Sequence, residues 1–372
     1  MPCSFTRRRL LQSALPIMTA SQFALNAQTS SKAAASKLAM PGPFPGRVVA
    51  VQHPGSIVAG KYQADAVKQM MQTGMTELTG GGWNESWRLF AQPGDVVGIK
   101  VNPVGSPNIV TGPEVLGPIF DGLRAAGIPN KDIVVYDRYH DQFVTAGFPG
   151  WLPPGVRWTS AAKDFEEVQQ GMDGYDPDHY MDMAVTLPGY DASNLAARRS
   201  YAARFITRDV NKLINLCLLK DHGAAGVTLA LKNLSHGLVN NVNRSHSTKT
   251  INVTGAFIPS VVSMPVIRNK AVLHILCGIQ GQYHGGPGPQ PEFIWEHKTM
   301  YFATDPVALD HVGWRALDAK RVAMGMKPVA ENEPDKYNSR RIRQPEHIEI
   351  AGAMGLGVFD WNKIDLRKKS LA

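Results

Sequence analysis

The feature that most constrains this chain is a strand, a helix and a second strand joined by short turns. Residues 96–101 form an apolar, β-branched run introduced by the turn Gln92-Pro93-Gly94-Asp95. Residues 113–126 carry apolar side chains at helical spacing and stop at Gly127, and residues 133–136 are the next apolar run. Such a unit places two parallel strands side by side with the helix crossing one face in a right-handed sense. The alternation recurs. Strands are predicted at 47–51, 203–207, 212–219, 271–278 and 300–303, and helices at 63–78, 226–238 and 306–317. Asp305 and Pro306 suit the N-cap and first position of the last helix. The pattern implies an α/β fold built on a mainly parallel, doubly wound sheet with helices on both faces. Residues 148–202 lose the periodicity and read as a loop-rich insertion, whose aspartates Asp173, Asp176, Asp178 and Asp182 miss calcium-loop spacing.

The first residues read as an export signal. Thr6-Arg7-Arg8-Arg9-Leu10-Leu11-Gln12 precedes a modestly apolar run and small residues near Ala24 to Ala27. A twin-arginine pair before a weakly apolar stretch favours the machinery that carries folded proteins. The run is shorter than the roughly 20 residues a membrane-spanning helix needs. The expected organisation is a signal at 1–27, a flexible tether at 28–45 and a single domain, or two lobes, at 46–372. The mature protein would be periplasmic or otherwise exported, with no stable membrane span. Removing residues 1–27 takes three arginines and no acids, so the formal charge of +8 falls to +5. That surface favours anions, and without a basic stripe interleaved with aromatics it argues against a nucleic-acid partner. Cys217 and Cys277 remain after Cys3 is removed with the signal. They could pair or stay as buried thiols.

Polar residues collect where strands end. Lys100 and Asn102 close one strand, Asp137 follows another, and Lys220, Asp221 and His222 follow a third. The glycine-rich loop Gly281 to Pro289, with His284, follows a fourth, and Asp305 a fifth. If these strands are parallel neighbours, all five clusters share the rim where open α/β sheets bind ligands. Lys232 and His236, four apart on a helix, share a face. The spacing points to a small anion held by Lys220, Lys232 and backbone amides of a helix N-terminus freed by Gly223 and Gly226. His222 would act as general acid/base beside Lys220 and Lys232, with Lys100, Asn102 and His284 contacting substrate. A divalent metal is a further option through His222, His236 and Asp305, with His284 or Asp137 as additional donors. No nucleophile elbow, P-loop or dinucleotide fingerprint is present.

Three segments carry a resemblance. Pro93-Gly94-Asp95-Val96-Val97-Gly98-Ile99-Lys100-Val101-Asn102 resembles the opening motif of domain-of-unknown-function family 362. Leu219-Lys220-Asp221-His222-Gly223, with Thr228-Leu229-Ala230-Leu231-Lys232-Asn233, is similar to its central signature. Ala303-Thr304-Asp305-Pro306-Val307-Ala308-Leu309-Asp310 resembles its late motif, and His246 lies where the family often has a histidine. The match runs from about residue 47 to 319. The resemblance implies that Lys220, His222, Lys232, Asn233, Asp305 and Asp310 are characteristic positions, which adds Asn233 to the substrate-binding set. The family's general activity is unassigned. Many members carry ferredoxin-like cysteine clusters, which this sequence lacks, so no iron–sulfur cluster is expected. Two readings follow: an enzyme acting on a small anionic substrate, or a non-catalytic binding protein for an anion, metal or cofactor.

Overall fold

Alternate burial along each apolar run builds one sheet with two covered faces. In the computed structural model, which describes residues 36–248, 250–338 and 343–372, the sheet has nine strands. They are β1 (Arg47–Gln52), β2 (Val97–Lys100), β3 (Ile133–Tyr136), β4 (Arg157–Thr159), β5 (Lys212–His222), β6 (Gly226–Val227), β7 (Ala271–Gln282), β8 (Ile294–Ala303) and β9 (Asp365–Ser370). The order is β9-β1-β8-β7-β5-β2-β3-β4, with β6 paired to β5 outside that row. Within the row every pairing is parallel except the two made by β8. The export signal lies outside the described residues.

Along β5, Ile214, Leu216 and Leu218 join the core under α1 (Ala64–Thr79) and α2 (Pro113–Ala125). Leu213, Cys217 and Leu219 face the other core, shared with α3 (Leu229–Leu238), α4 (Thr254–Val262), α5 (Pro306–Ala323) and α6 (Glu346–Ala353). This is the doubly wound α/β arrangement. Each fully buried apolar side chain is worth roughly 1.5–3 kcal/mol, so two such cores dominate the fold's stability. The period-two burial also settles the cysteines: Cys217 lies in one core and Cys277 in the other, and both are free thiols. Helix α1 seats Val67, Met70, Met71, Met75 and Leu78 on the sheet and stops at Gly80, whose φ of 80° favours a residue without a side chain.

Several expected elements are corrected. The strand expected at 203–207 ends at Ala203, and Phe205–Asp209 forms a π-helical turn. Phe205 and Ile206 are both buried, which an apolar run shows equally as a helical turn and as a strand covered on both faces. Phe205 stacks on Tyr136 with ring centroids 4.1 Å apart. The helix expected from 226 starts at Leu229, because Gly226 and Val227 pair back onto β5 as β6. The insertion is more ordered than expected: it supplies edge strand β4 and an antiparallel hairpin of Tyr175–Asp182 with Arg199–Ala203. The end of the expected tether is packed rather than flexible. Met40 is buried and its N–H donates to the Arg268 carbonyl at 3.0 Å, while the Phe44 N–H donates to the Thr304 hydroxyl at 3.2 Å.

The strand directions decide the site. β2, β3, β5 and β7 run parallel, so their carboxyl ends share one rim. β8 runs against them, and its last residue, Ala303, pairs with His274 near the start of β7. Asp305 therefore lies at the opposite rim.

Candidate functional site

A cavity of about 230 Å³ opens at the carboxyl ends of β2, β3 and β5 and is roofed by α3. Four cationic side chains line it, Lys100, Arg138, Lys220 and Lys232, against one carboxylate, Asp137. Asn102, His222, Asn233, His236 and His246 complete the polar wall. The sequence-predicted residues Lys100, Asn102, Lys220, His222, Lys232, Asn233 and His236 thus meet at one place.

Two of the lysines are committed to the protein. Lys100 pairs with Asp137 and also donates to the Val101 carbonyl and the Asn233 side-chain oxygen. It lies against α3 where Gly237 has no side chain; a Cβ there would sit 2.1 Å from the Lys100 Cε. Lys220 donates to the Asn102 side-chain oxygen at 3.1 Å, to the Pro287 carbonyl at 3.2 Å and to the Val104 carbonyl. Burial and neighbouring lysine charge push Lys220 down to about 7, partly opposed by Asp137 and Asp221. Three oxygen acceptors nevertheless require three N–H groups, which hold it as an ammonium. It clamps the loops after β2 and β7 onto β5. A relay of amides connects these two lysines, since Asn102 donates to Asn233 at 3.1 Å and Asn233 donates to Asn215 at 2.7 Å.

Lys232 differs. It is more than nine-tenths buried, and its ammonium has no hydrogen-bond or ion-pair partner among the described residues. Burial, then the charges of Lys220, Arg138 and Lys100, bring it down to about 7.

His222 is fixed by its backbone surroundings. Its Nδ1 accepts from the Ala224 and Ala225 N–H groups at 3.0 and 3.1 Å. The proton of the neutral ring is therefore on Nε2, making His222 a hydrogen-bond donor rather than a base. Burial and the neighbouring cations hold its pKa well below the ordinary histidine value. A neutral imidazole polarised through its acceptor nitrogen suits a developing oxyanion.

Four expectations fail at this level. Asp305 does not join the site: it accepts from Val307 and Ala308 as the N-cap of α5, and from Gly46 and Val358 at 2.9 and 2.8 Å. The metal set His222, His236 and Asp305 is not assembled. His222 uses Nδ1 as an acceptor, and His236 places its two ring nitrogens 3.0 and 3.2 Å from the hydroxyls of Ser235 and Ser245. No group of three or more His, Cys, Asp or Glu among the described residues could hold a metal ion. His284 lies behind the cavity, with Nε2 2.7 Å from Asp335 and Nδ1 accepting from Arg321 at 3.0 Å. It belongs to a buried network in which Arg343 pairs with Asp221 at 2.9 Å. Finally, the N-terminus of α3 is not open to an anion, because Asp310 accepts from Ala230 and Leu231 at 2.7 and 2.9 Å.

Sequence reasoning missed Arg138, Tyr139 and Gln169. Arg138 donates to Tyr175, to the His236 carbonyl and to Gln169, and Gln169 donates on to the Tyr139 hydroxyl at 3.1 Å. Arg138 directly follows the rim aspartate and could have been found by extending that cluster by one residue. Gln169 sits in the aperiodic insertion, where no pattern marks it. No helix among the described residues is long and apolar enough to cross a membrane.

A crystal structure of a Thermotoga maritima protein matches in part, with 11% identity and a TM-score of 0.33, covering 59% of this chain and 51% of that chain. The chain thus spans about half the length of that structure. No curated protein matches the chain. The family model described as "Domain of unknown function (DUF362)" matches residues 97–315, a span that takes in β2, α3 and every lysine of the cavity. With more than half its length matched, the chain belongs to the DUF362 family.

Proposed function

We propose that this is an exported enzyme acting on a small anionic substrate in the rim cavity. The observation that carries the reading is the surplus of cations: four cationic side chains and one carboxylate enclose about 230 Å³. Buried charge of one sign is costly unless a partner supplies the other, and a bound carboxylate or phosphate would supply it. Lys232, Arg138 and Lys220 supply positive charge to that anion, and the Nε2–H of His222 polarises an oxygen of the substrate. Export rests on the arginine pair Arg7-Arg8 and the residues after it. The test is a melting series with inorganic phosphate, acetate and succinate at fixed ionic strength. One or more of these anions raises the melting temperature of the native protein and has no effect on Lys232→Met. Equal responses from both proteins would defeat the assignment.

The commitment of Lys220 and the donor tautomer of His222 favour a second reading, an anion-binding protein that leaves its ligand unchanged. Native mass spectrometry after export, followed by a turnover assay on whatever is retained, separates the two. A retained ligand that survives incubation intact supports binding alone.

A further inference from the structure

We propose that Lys232 is a nucleophilic amine that forms an imine with a small oxo acid bound in the rim cavity. The proposal rests on the anion-site reading and deepens it by naming the substrate class.

The geometry separates Lys232 from the other two lysines. Lys100 and Lys220 each donate to three oxygen acceptors, whereas Lys232 reaches the same cavity with none among the described residues. The carboxylate of Asp137 is engaged by Lys100. Near Lys232 lies His347, fully buried, with no hydrogen-bond partner for either ring nitrogen among the described residues and a pKa pressed to about 3 by burial and by Lys232. Among the described residues no side chain hydrogen-bonds or pairs with the Lys232 nitrogen, and burial and adjacent cations bring its pKa to about 7. A desolvated lysine beside other cations is the arrangement that makes an amine nucleophilic at neutral pH. The same cations attract a carboxylate, and the donor at His222 suits a carbonyl oxygen. The cavity of about 230 Å³ is about eight times the ~30 Å³ share of a liquid water, room for a compact acid.

The step balances without a redox partner. The Nζ lone pair attacks the carbonyl carbon, and the C=O π pair moves to oxygen, which takes up the proton released by nitrogen. The nitrogen lone pair then forms C=N as the C–O bond breaks, and the hydroxyl leaves as water with one proton from solvent. The protonated imine left behind withdraws electrons from the adjacent carbon.

The native protein is incubated at pH 7 with glyoxylate or pyruvate and sodium cyanoborohydride, then analysed by intact mass and peptide mapping. The expected result is a single reduced adduct on Lys232, at least tenfold above any exposed lysine and suppressed by excess inorganic phosphate. Lys232→Arg, which keeps the charge but cannot form an imine, loses that adduct. Labelling spread over exposed lysines with Lys232 unmodified would overturn the proposal. A parallel phosphate melt separates the two levels: stabilisation by phosphate without an adduct ends the imine proposal and leaves the anion site standing. Absence of both effects ends both.

Discussion

Replacing Lys232 with methionine should make the empty protein more stable while removing its response to anions. Methionine keeps an unbranched apolar stem of similar reach, so little packing is lost. What disappears is the cost of holding an ammonium without a partner. A fall in pKa from 10.5 to about 7, at about 1.4 kcal/mol for each tenfold change in equilibrium, corresponds to about 5 kcal/mol. Relaxation and water entry reduce that figure, and replacements of buried charge by apolar side chains typically gain about 1–4 kcal/mol. The folded value lies below the unfolded one, so the unfolded chain binds more protons between pH about 7 and 10.5. Wild-type stability therefore climbs with pH across that window, while below about 7 the penalty is complete. The assay is denaturant unfolding of both proteins at pH 6, 8 and 10. Lys232→Met should be more stable by about 1–4 kcal/mol at pH 6, with the gap closing towards pH 10. A variant that is less stable at pH 6, or a gap independent of pH, would refute the reasoning.

Two further outcomes follow from single contacts and a third from the arginine pair Arg7-Arg8. Gly237→Ala brings a Cβ to 2.1 Å from the Lys100 Cε, so urea unfolding should show a loss of about 1–3 kcal/mol, with weaker phosphate protection as Lys100 leaves Asp137. Asp310→Asn puts an amide donor against one of the two N–H groups it now accepts; the same assay should register about 1–3 kcal/mol lost, and cyanoborohydride trapping at Lys232 should slow as α3 shifts. Residues 1–35 fused to a reporter that must fold before crossing the membrane should deliver it outside the cytoplasm, and a joint Arg7→Lys, Arg8→Lys change should retain it; delivery unaffected by that change would remove the twin-arginine assignment.

The parts of this fold legible in the sequence are those where burial is periodic. Residues 63–78 and 113–126 show one apolar face each, and the helices found, Ala64–Thr79 and Pro113–Ala125, agree closely. The direction of β8 was hidden by polar residues at the strand ends. Gln280 and Gln282 extend β7, and Glu296, His297 and Lys298 belong to β8, so both strands read as shorter than they are. The gap between the strands expected at 271–278 and 300–303 exceeds the dozen residues that a parallel crossover needs. The true link between Gln282 and Ile294 is shorter and turns the chain back. That reversal is what removes Asp305 from the site. Hydrogen-bond saturation was equally invisible, since nothing in the sequence says that Lys220 meets three oxygens and Lys232 none.

The reversal also explains what the late motif does. Asp305 and Asp310 sit five residues apart on one helix, yet neither lines the cavity. Asp305 caps α5 and ties Gly46 and Val358 to it. Asp310, fully buried, reaches from α5 to the first amides of α3, where Leu229 adopts a φ of 43° that a side chain of its size rarely tolerates. An unusual backbone at that junction persists only when its surroundings hold it, and the two N–H bonds to Asp310 do so. The helix fixed in this way carries Lys232, Asn233 and His236 into the cavity. The motif thus acts on the site from the opposite rim, through the placement of one short helix. This is why a loss at Asp310 should lower stability and also weaken the binding of anions beside Lys232, although Asp310 does not line the cavity.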